Sequence, residues 1–407
     1  MPPDERRMHA DECPMKLGDL AGPRWSAASV RDSVPAMRAS TVAAVALFSA
    51  IGSATAGSLL GCGSPQHDQP PTPAAAAQPA AGPAAAVAVP AGFSTSAVAL
   101  PGGGPDGVAM DYLLYNPRTH TVWVPAGNTA SVDVIDVATG KITPIAGFAT
   151  REVERQGVKR RVGPSAAALG DRGTVYVGNR GDSSICAVDE AALQIGTCGK
   201  LDSSPDGVLY VASTREVWVT TPRDKSIRVL DAATLAQKAR IEFDGGPEGF
   251  AVDNARGRFY TNLEDKDVTL ELDVASRKVL ATWKSGCGED GPRGLRMIDA
   301  QGVLLVACTS RLESLDVMHD GAQLGSIDTG AGVDDFDYSP KDHRVYVGAA
   351  KAAKLTVASL DAAGHLAVLA SVPTREGARN GVVTRDGRVY LSHAKDSELI
   401  VVAPQVK

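Results

Sequence analysis

Pro205-Asp206-Gly207, then Val217-Trp218-Val219, then Val229-Leu230-Asp231: these three short motifs, spaced across residues 205–231, decide the fold. The two apolar triplets are β-branched and aromatic, as strands that pack on a neighbour require. The Pro-x-Gly entry and the terminal Asp are turn formers. The same order recurs. Pro164-Ser165-Ala166 leads to Val175-Tyr176-Val177 and Ala187-Val188-Asp189, and Pro247-Glu248-Gly249 leads to Phe259-Tyr260-Thr261 and Glu271-Leu272-Asp273. Pro292-Arg293-Gly294 precedes Leu305-Val306-Ala307, Val333-Asp334-Asp335 precedes Val345-Tyr346-Val347, and Arg379-Asn380-Gly381 precedes Val389-Tyr390-Leu391. At the front, Pro105-Asp106-Gly107 leads to Val122-Trp123-Val124 and Val134-Ile135-Asp136.

A step of about 40 to 45 residues carrying four short strands is a propeller blade. Seven copies begin between residues 105 and 379, and the seventh stops after its third strand, at Val401-Val402. A radial sheet lacking its outer strand would leave an open edge. The alternating segment Phe93 to Leu100 can supply that strand, so the expected fold is an all-β, seven-bladed β-propeller over residues 92–407, closed by an N-terminal outer strand. Length alone, at about 150 residues per domain, would have suggested two or three domains.

Val-Tyr-Val-Gly-Asn at 175–179, the Pro-x-Gly starts and Val-Ile-Asp-x-x-Thr-Gly-Lys at 134–141 resemble the YVTN-type, YncE-like seven-bladed propellers of bacterial periplasms and surfaces. The resemblance covers about residues 93–407 and implies the fold. It implies little chemistry, because propellers host lyases, lactonases, dehydrogenases and binding modules on one frame.

The residues ahead of the repeat read differently. Arg38, the apolar run Ala39 to Gly61 and the sequence Leu59-Leu60-Gly61-Cys62 have the order of an export signal ending in a lipobox, with Cys62 as the lipidated residue. Ser, Thr and Gly scattered through the run weaken the competing reading as a transmembrane anchor. Residues 1–36 carry five basic and six acidic side chains, the wrong sign for the start of a signal, which points to Met37 as the translation start. Residues 1–61 are thus expected to be leader and signal peptide, and residues 62–91, rich in Pro and Ala, a disordered tether. A bacterial protein exported and held to a membrane by lipid, its domain in the periplasm or at the cell surface, follows as an expectation.

Composition excludes some partners. With 41 Lys+Arg against 47 Asp+Glu the formal charge is −6, so no polycationic surface invites nucleic acid. The 42 Gly and 25 Pro have two sources, blade turns and tether.

In a propeller the loops entering each first strand and leaving each second strand share one face. The middle residues of the Pro-x-Gly copies then ring the channel mouth: Asp106, Ser165, Asp206, Glu248, Arg293, Asp334 and Asn380, with Asp290 and Asp335 beside them. Converging carboxylates suit a hard cation such as Ca²⁺, which takes six to eight oxygens, and equally an amine or a basic peptide. In turns Asp and Glu also simply cap loop amides. The longest insertion, Arg151 to Arg161, alternates in charge about Gln156-Gly157 and is expected to form a protruding hairpin on this face. With Arg180 and Arg296 it offers an anion-binding arm opposite the acids, unless it is merely a solvated hairpin.

Four cysteines lie within the repeat, an even number that fits an oxidising compartment. Of three connectivities the local one is preferred, Cys186 with Cys198 and Cys287 with Cys308, although a plain hairpin register leaves the first pair one residue out of line. A bridge at 287–308 would stiffen the mouth by about 2 to 3 kcal/mol. Zinc is the competing reading, but no C-x-x-C or paired His accompanies these cysteines. Among the histidines, His120, His319, His343 and His365 fall on the opposite face and His393 alone is expected to reach the mouth. No Ser-His-Asp set can be assembled there. The expected function is a non-catalytic propeller binding a small molecule or an envelope protein through the acidic ring. A metal-assisted lactonase or esterase on the same face, with His393 or Glu248 as base, is the second reading.

Overall fold

The computed structural model describes residues 92–155, 157–288 and 291–405. Seven four-stranded antiparallel sheets form the seven blades, and an extra two-stranded hairpin accompanies them. The expectations for residues 1–91, including Met37, Cys62 and the tether, lie outside the described residues, as does Asp290. Among the described residues no helix is long and apolar enough to cross a membrane.

Blade 1 comprises Leu114–Asn116, Thr121–Ala126, Ser131–Asp136 and Ile142–Ala146, and blades 2 to 6 repeat the order. Blade 7 takes Arg379–Val383, Val389–His393 and Glu398–Pro404 from the C-terminal end and Phe93–Ala99 from the N-terminal side. The expected closure is therefore observed, with Phe93 opposite Pro404 and Ala99 opposite Glu398.

The second strand of each blade is the reason the ring holds. Its residues are buried on both faces, whereas the outer strands alternate towards solvent. The aromatic at the centre of Val-Trp-Val or Val-Tyr-Val projects into the next blade. Trp123 joins a cluster with Val175, Val177 and Val188 of blade 2, and Tyr176 one with Val217 and Val219 of blade 3. Trp218 meets Phe259 of blade 4 with ring centroids 4.6 Å apart, and Tyr390 of blade 7 packs with Val122 and Val124 of blade 1. Seven such clusters fill the seven interfaces between blades. Truncating one of these aromatics to Ala should cost about 3 to 5 kcal/mol.

Both expected disulfides are present, Cys186–Cys198 and Cys287–Cys308. The apparent misregister of the first pair disappears because a bulge between Cys186 and Val188 takes up the odd residue and sets Cys186 directly opposite Cys198. Two disulfides point to an oxidising compartment. Arg151–Arg155 and Val158–Val162 pair as the anticipated hairpin.

Candidate functional site

First-strand starts lie opposite second-strand ends, as in Pro164 with Asn179, Pro247 with Leu263 and Pro292 with Cys308, so both sets of loops do share one face. In four blades a Gly follows the ring residue, and in blade 2 the small Ala166, because the inner ring is narrow. A Cβ on Gly207 would sit 1.8 Å from the Phe250 ring, and one on Gly294 would sit 2.2 Å from Asp335 Oδ1. Where the Gly is replaced, by Tyr112 in blade 1 and Asp335 in blade 6, a side chain enters the middle instead. Tyr112 reaches across to Phe250 with centroids 5.4 Å apart, which makes an apolar floor beneath the mouth.

Above that floor the acids converge. Arg180 of blade 2 donates to Asp111 of blade 1 at 2.7 Å and also to Asp206 of blade 3. The Tyr112 hydroxyl donates to Asp206 at 3.4 Å. Asn380 of blade 7, whose backbone is left-handed at φ 47°, donates to Asp334 at 2.8 Å and to Asp111 at 3.2 Å. Its carbonyl oxygen accepts from the Asp335 amide. Arg379 lies 3.3 Å from Asp334, and Arg293 pairs with Glu264 at 2.7 Å. Asp335 and Asp337 face Arg296, which stacks over Phe336. Glu248 has no hydrogen-bond or ion-pair partner among the described residues.

The carboxylates outnumber the guanidinium groups. Asp111, Asp206, Glu248, Glu264, Asp334, Asp335 and Asp337 stand against Arg180, Arg293, Arg296 and Arg379. The shifts follow from that imbalance under burial. Burial, with Asp206, Glu264 and Asp334 adding repulsion, pushes Glu248 up to about 9. Burial raises Asp111 to about 6 despite the opposing pull of Arg180, and Asp335 to about 6 despite Arg296. Burial and the Asp206 charge hold the Tyr112 phenol well above its ordinary range. Three buried polar atoms here, Ser165 Oγ, Arg293 Nε and Asp335 Oδ1, have no hydrogen-bond partner among the described residues. Such atoms are scarce in folded proteins, and their gathering marks a place with hydrogen-bonding capacity to spend.

Two expected members stand elsewhere. Asp106 is exposed and lines a cleft of about 280 Å³ with Asn128, Glu152, Lys159, Arg160 and Arg161 of the hairpin side. Residues 100–108 are occupied in sealing blade 1 to blade 7: the Leu100 amide bonds Ser397, the Val108 amide bonds Ala394, and a Cβ on Gly107 would lie 2.0 Å from the Ala394 oxygen. The blade 1 member is Asp111. Its signal was in the spacing, since Asp111 stands eleven residues before Val122, as Asp206 does before Val217 and Asp334 before Val345. His393 is buried at the end of its strand, next to Asp396 and Glu398. No contact joins it to the ring among the described residues. Tyr112, Glu264 and Asp337 were also missed, because each lies off the middle position of the motif. Arg161 lines both the outer cleft and a smaller cavity of about 60 Å³ that also touches Asp111, Ser165 and Arg180, so the hairpin does border the mouth.

No family model matches the chain, and no curated protein matches it in sequence. Solved structures do match in fold. A chain of a mitotic checkpoint complex has a TM-score of 0.61 at 13% identity, over 77% of this chain and 94% of that one. A chain of Kuenenia stuttgartiensis hydrazine synthase has 0.60 at 16%, over 74% and 97%, and a streptogramin B lyase has 0.60 at 12%, over 77% and 98%. At such identities the likeness is one of fold, and the chain is a seven-bladed β-propeller.

Proposed function

We propose that this is an exported binding propeller, of the YVTN-type, YncE-like kind, whose channel mouth receives a cationic group such as an alkylamine or the side chain of a basic peptide. The carrying observation is Glu248, half-buried and unpaired among other carboxylates, with a pKa pushed up to about 9 by burial and by those neighbours. A carboxyl so placed is protonated at neutral pH and ionises when a positive charge arrives. Binding then releases a proton, and affinity rises with pH up to about 9. Isothermal titration with spermidine and with a lysine-rich peptide, at pH 7 in buffers of different ionisation enthalpy, tests both points. We expect saturable binding with proton release in the wild type, and about tenfold weaker binding without release in Glu248→Gln. Identical isotherms for wild type and for Asp206→Asn/Glu248→Gln would overturn the acidic-mouth reading.

A second reading, hydrolysis of a sugar lactone or related ester with Ca²⁺ held by the ring, is favoured by the clustering of raised carboxyl pKa values, a frequent mark of catalytic sites. Turnover of a lactone panel above background, abolished in Asp206→Asn, would move the assignment there. For residues outside the described range we propose lipidation at Cys62. Metabolic labelling with palmitate, present in wild type and lost in Cys62→Ala, is the expected result.

A further inference from the structure

We propose that His393, Asp396 and Glu398 bind a divalent metal ion of the Zn²⁺, Co²⁺ or Ni²⁺ type, with Arg375 as the counter-ion it displaces. The three residues span one hairpin of blade 7. His393 ends the second strand, Asp396 closes the 3-10 turn Ala394–Asp396, and Glu398 opens the third strand directly opposite His393. None of them belongs to the acidic mouth, so the two readings stand or fall separately.

The imidazole carries the argument. Its side chain is only 4% exposed, and its Nε2 lies 3.0 Å from the Glu376 carbonyl oxygen. A carbonyl can only accept, so Nε2 bears a hydrogen, and Nδ1 is the nitrogen left to present a lone pair to a metal. That Nδ1 is buried without a hydrogen-bond partner, yet Glu398 Oε1 lies 3.3 Å away and Asp396 Oδ2 3.5 Å away. One candidate ligand atom from each of the three residues falls within 4.8 Å of the other two. Three electron-rich atoms so close repel unless a cation or a proton sits among them. Arg375 answers part of this, since its Nη1 bonds Glu398 and lies 3.4 Å from Asp396. It brings one positive charge to two carboxylates and leaves Nδ1 unserved. Its side chain is 53% exposed, so it can swing into water.

A metal ion would satisfy all three atoms at once. A metal-bound His whose other ring nitrogen donates to a backbone carbonyl is held in the required tautomer and orientation. One nitrogen and two carboxylate oxygens suit borderline ions such as Zn²⁺ better than Ca²⁺, which takes oxygen sets, and three protein ligands leave a fourth position open.

The test is a Co²⁺ titration of the full chain, stripped with a chelator, read by visible absorption and by metal content after dialysis, with Zn²⁺ as competitor. We expect one Co²⁺ per chain, displaced by Zn²⁺. Affinity should fall about tenfold or more in His393→Gln and in Glu398→Gln. It should rise about threefold or more in Arg375→Gln, which removes a competing surface charge and leaves the fold alone. Far-ultraviolet circular dichroism checks that the two ligand variants fold. Absence of uptake in both wild type and Arg375→Gln would overturn the site and leave an imidazolium–carboxylate pair in its place. Undiminished uptake in His393→Gln, or weaker uptake in Arg375→Gln, would overturn it equally.

Discussion

The two faces of the propeller use the same residue type for opposite purposes. On the underside, an Asp ends the third strand of blades 1 to 5 and directly follows it in blade 6, and it caps the turn that follows. Asp136 accepts the Thr139 amide at 2.7 Å, Asp189 the Ala192 amide at 2.7 Å, Asp231 the Thr234 amide at 3.0 Å and Asp361 the His365 amide at 2.8 Å. Those backbone donors hold all four carboxyls below the usual range. At the mouth, burial and mutual repulsion push Asp111, Asp335 and Glu248 the other way. Turn-capping describes the underside acids, whereas the acids of the mouth turns face one another and the arginines between them. An underside Asp is stabilised as an anion by backbone amides of its own turn, whereas the mouth acids share a few side-chain cations and amides between blades, and Glu248 has neither among the described residues.

Breaking the guanidinium bridge should have the largest effect on this contrast. Arg180→Ala leaves Asp111 and Asp206 facing each other without their shared cation, and should lower unfolding free energy by about 3 kcal/mol, measured by urea denaturation at pH 7. Next comes the Cys287–Cys308 bridge, whose sequence separation is 21. Replacing both cysteines by Ser should cost about 3 kcal/mol or slightly less and also weaken spermidine binding, because Cys308 is opposite Pro292 at the mouth. The matching change at Cys186 and Cys198, on the outer strand pair of blade 2, should lower stability and leave binding unchanged.

A smaller effect separates the faces by pH. Glu248 titrates near 9 in the folded protein and at about 4.3 in an unfolded chain, so the folded state keeps a proton that the unfolded state releases. The associated stability is full below about pH 4 and is lost as pH rises through 9. Glu248→Gln should therefore raise the melting temperature relative to wild type at pH 9 and change it little at pH 4. Asp231→Asn should do the reverse and least of all: a small drop in melting temperature at pH 7 that vanishes as pH falls through the lowered pKa of Asp231. Scanning calorimetry across pH 3 to 9 reads both. Equal behaviour of the two variants would erase the distinction between the faces.

The fold was legible because each blade must bury both sides of its second strand. That requirement writes Val-Tyr-Val or Val-Trp-Val into the chain at a fixed step, and the missing outer strand after Val401-Val402 asked for Phe93–Ala99. The candidate site was legible where motif and geometry coincide, at Asp206, Glu248, Arg293, Asp334, Asp335 and Asn380, and at Arg180 in a second-strand loop. Asp106 misled because Pro-Asp-Gly suits any tight turn, and here the turn serves the seam between blades 1 and 7. Tyr112 and Asp335 occupy positions that Gly takes in four other blades, and what they do depends on residues of other blades: Phe250, three blades away, for Tyr112, and Arg296 and Asn380 of the two neighbouring blades for Asp335. Of the arginines that offset the acids, Arg180, Arg293 and Arg296 could be named from the sequence, whereas the pairing of each with a particular carboxylate, and the role of Arg379 beside Asp334, depends on how neighbouring blades meet.

The closing strand also fixes how the molecule would bear a load. Residues 93 to 99 run from the underside towards the mouth, paired along their whole length with residues 404 to 398. The chain before Gly92 therefore joins at the underside rim, and a tug there directed along the strand strains seven residue pairs together, as in shear, instead of unzipping them singly. A propeller held by its N-terminal side would take that load on seven residue pairs at once, with the mouth on the opposite face.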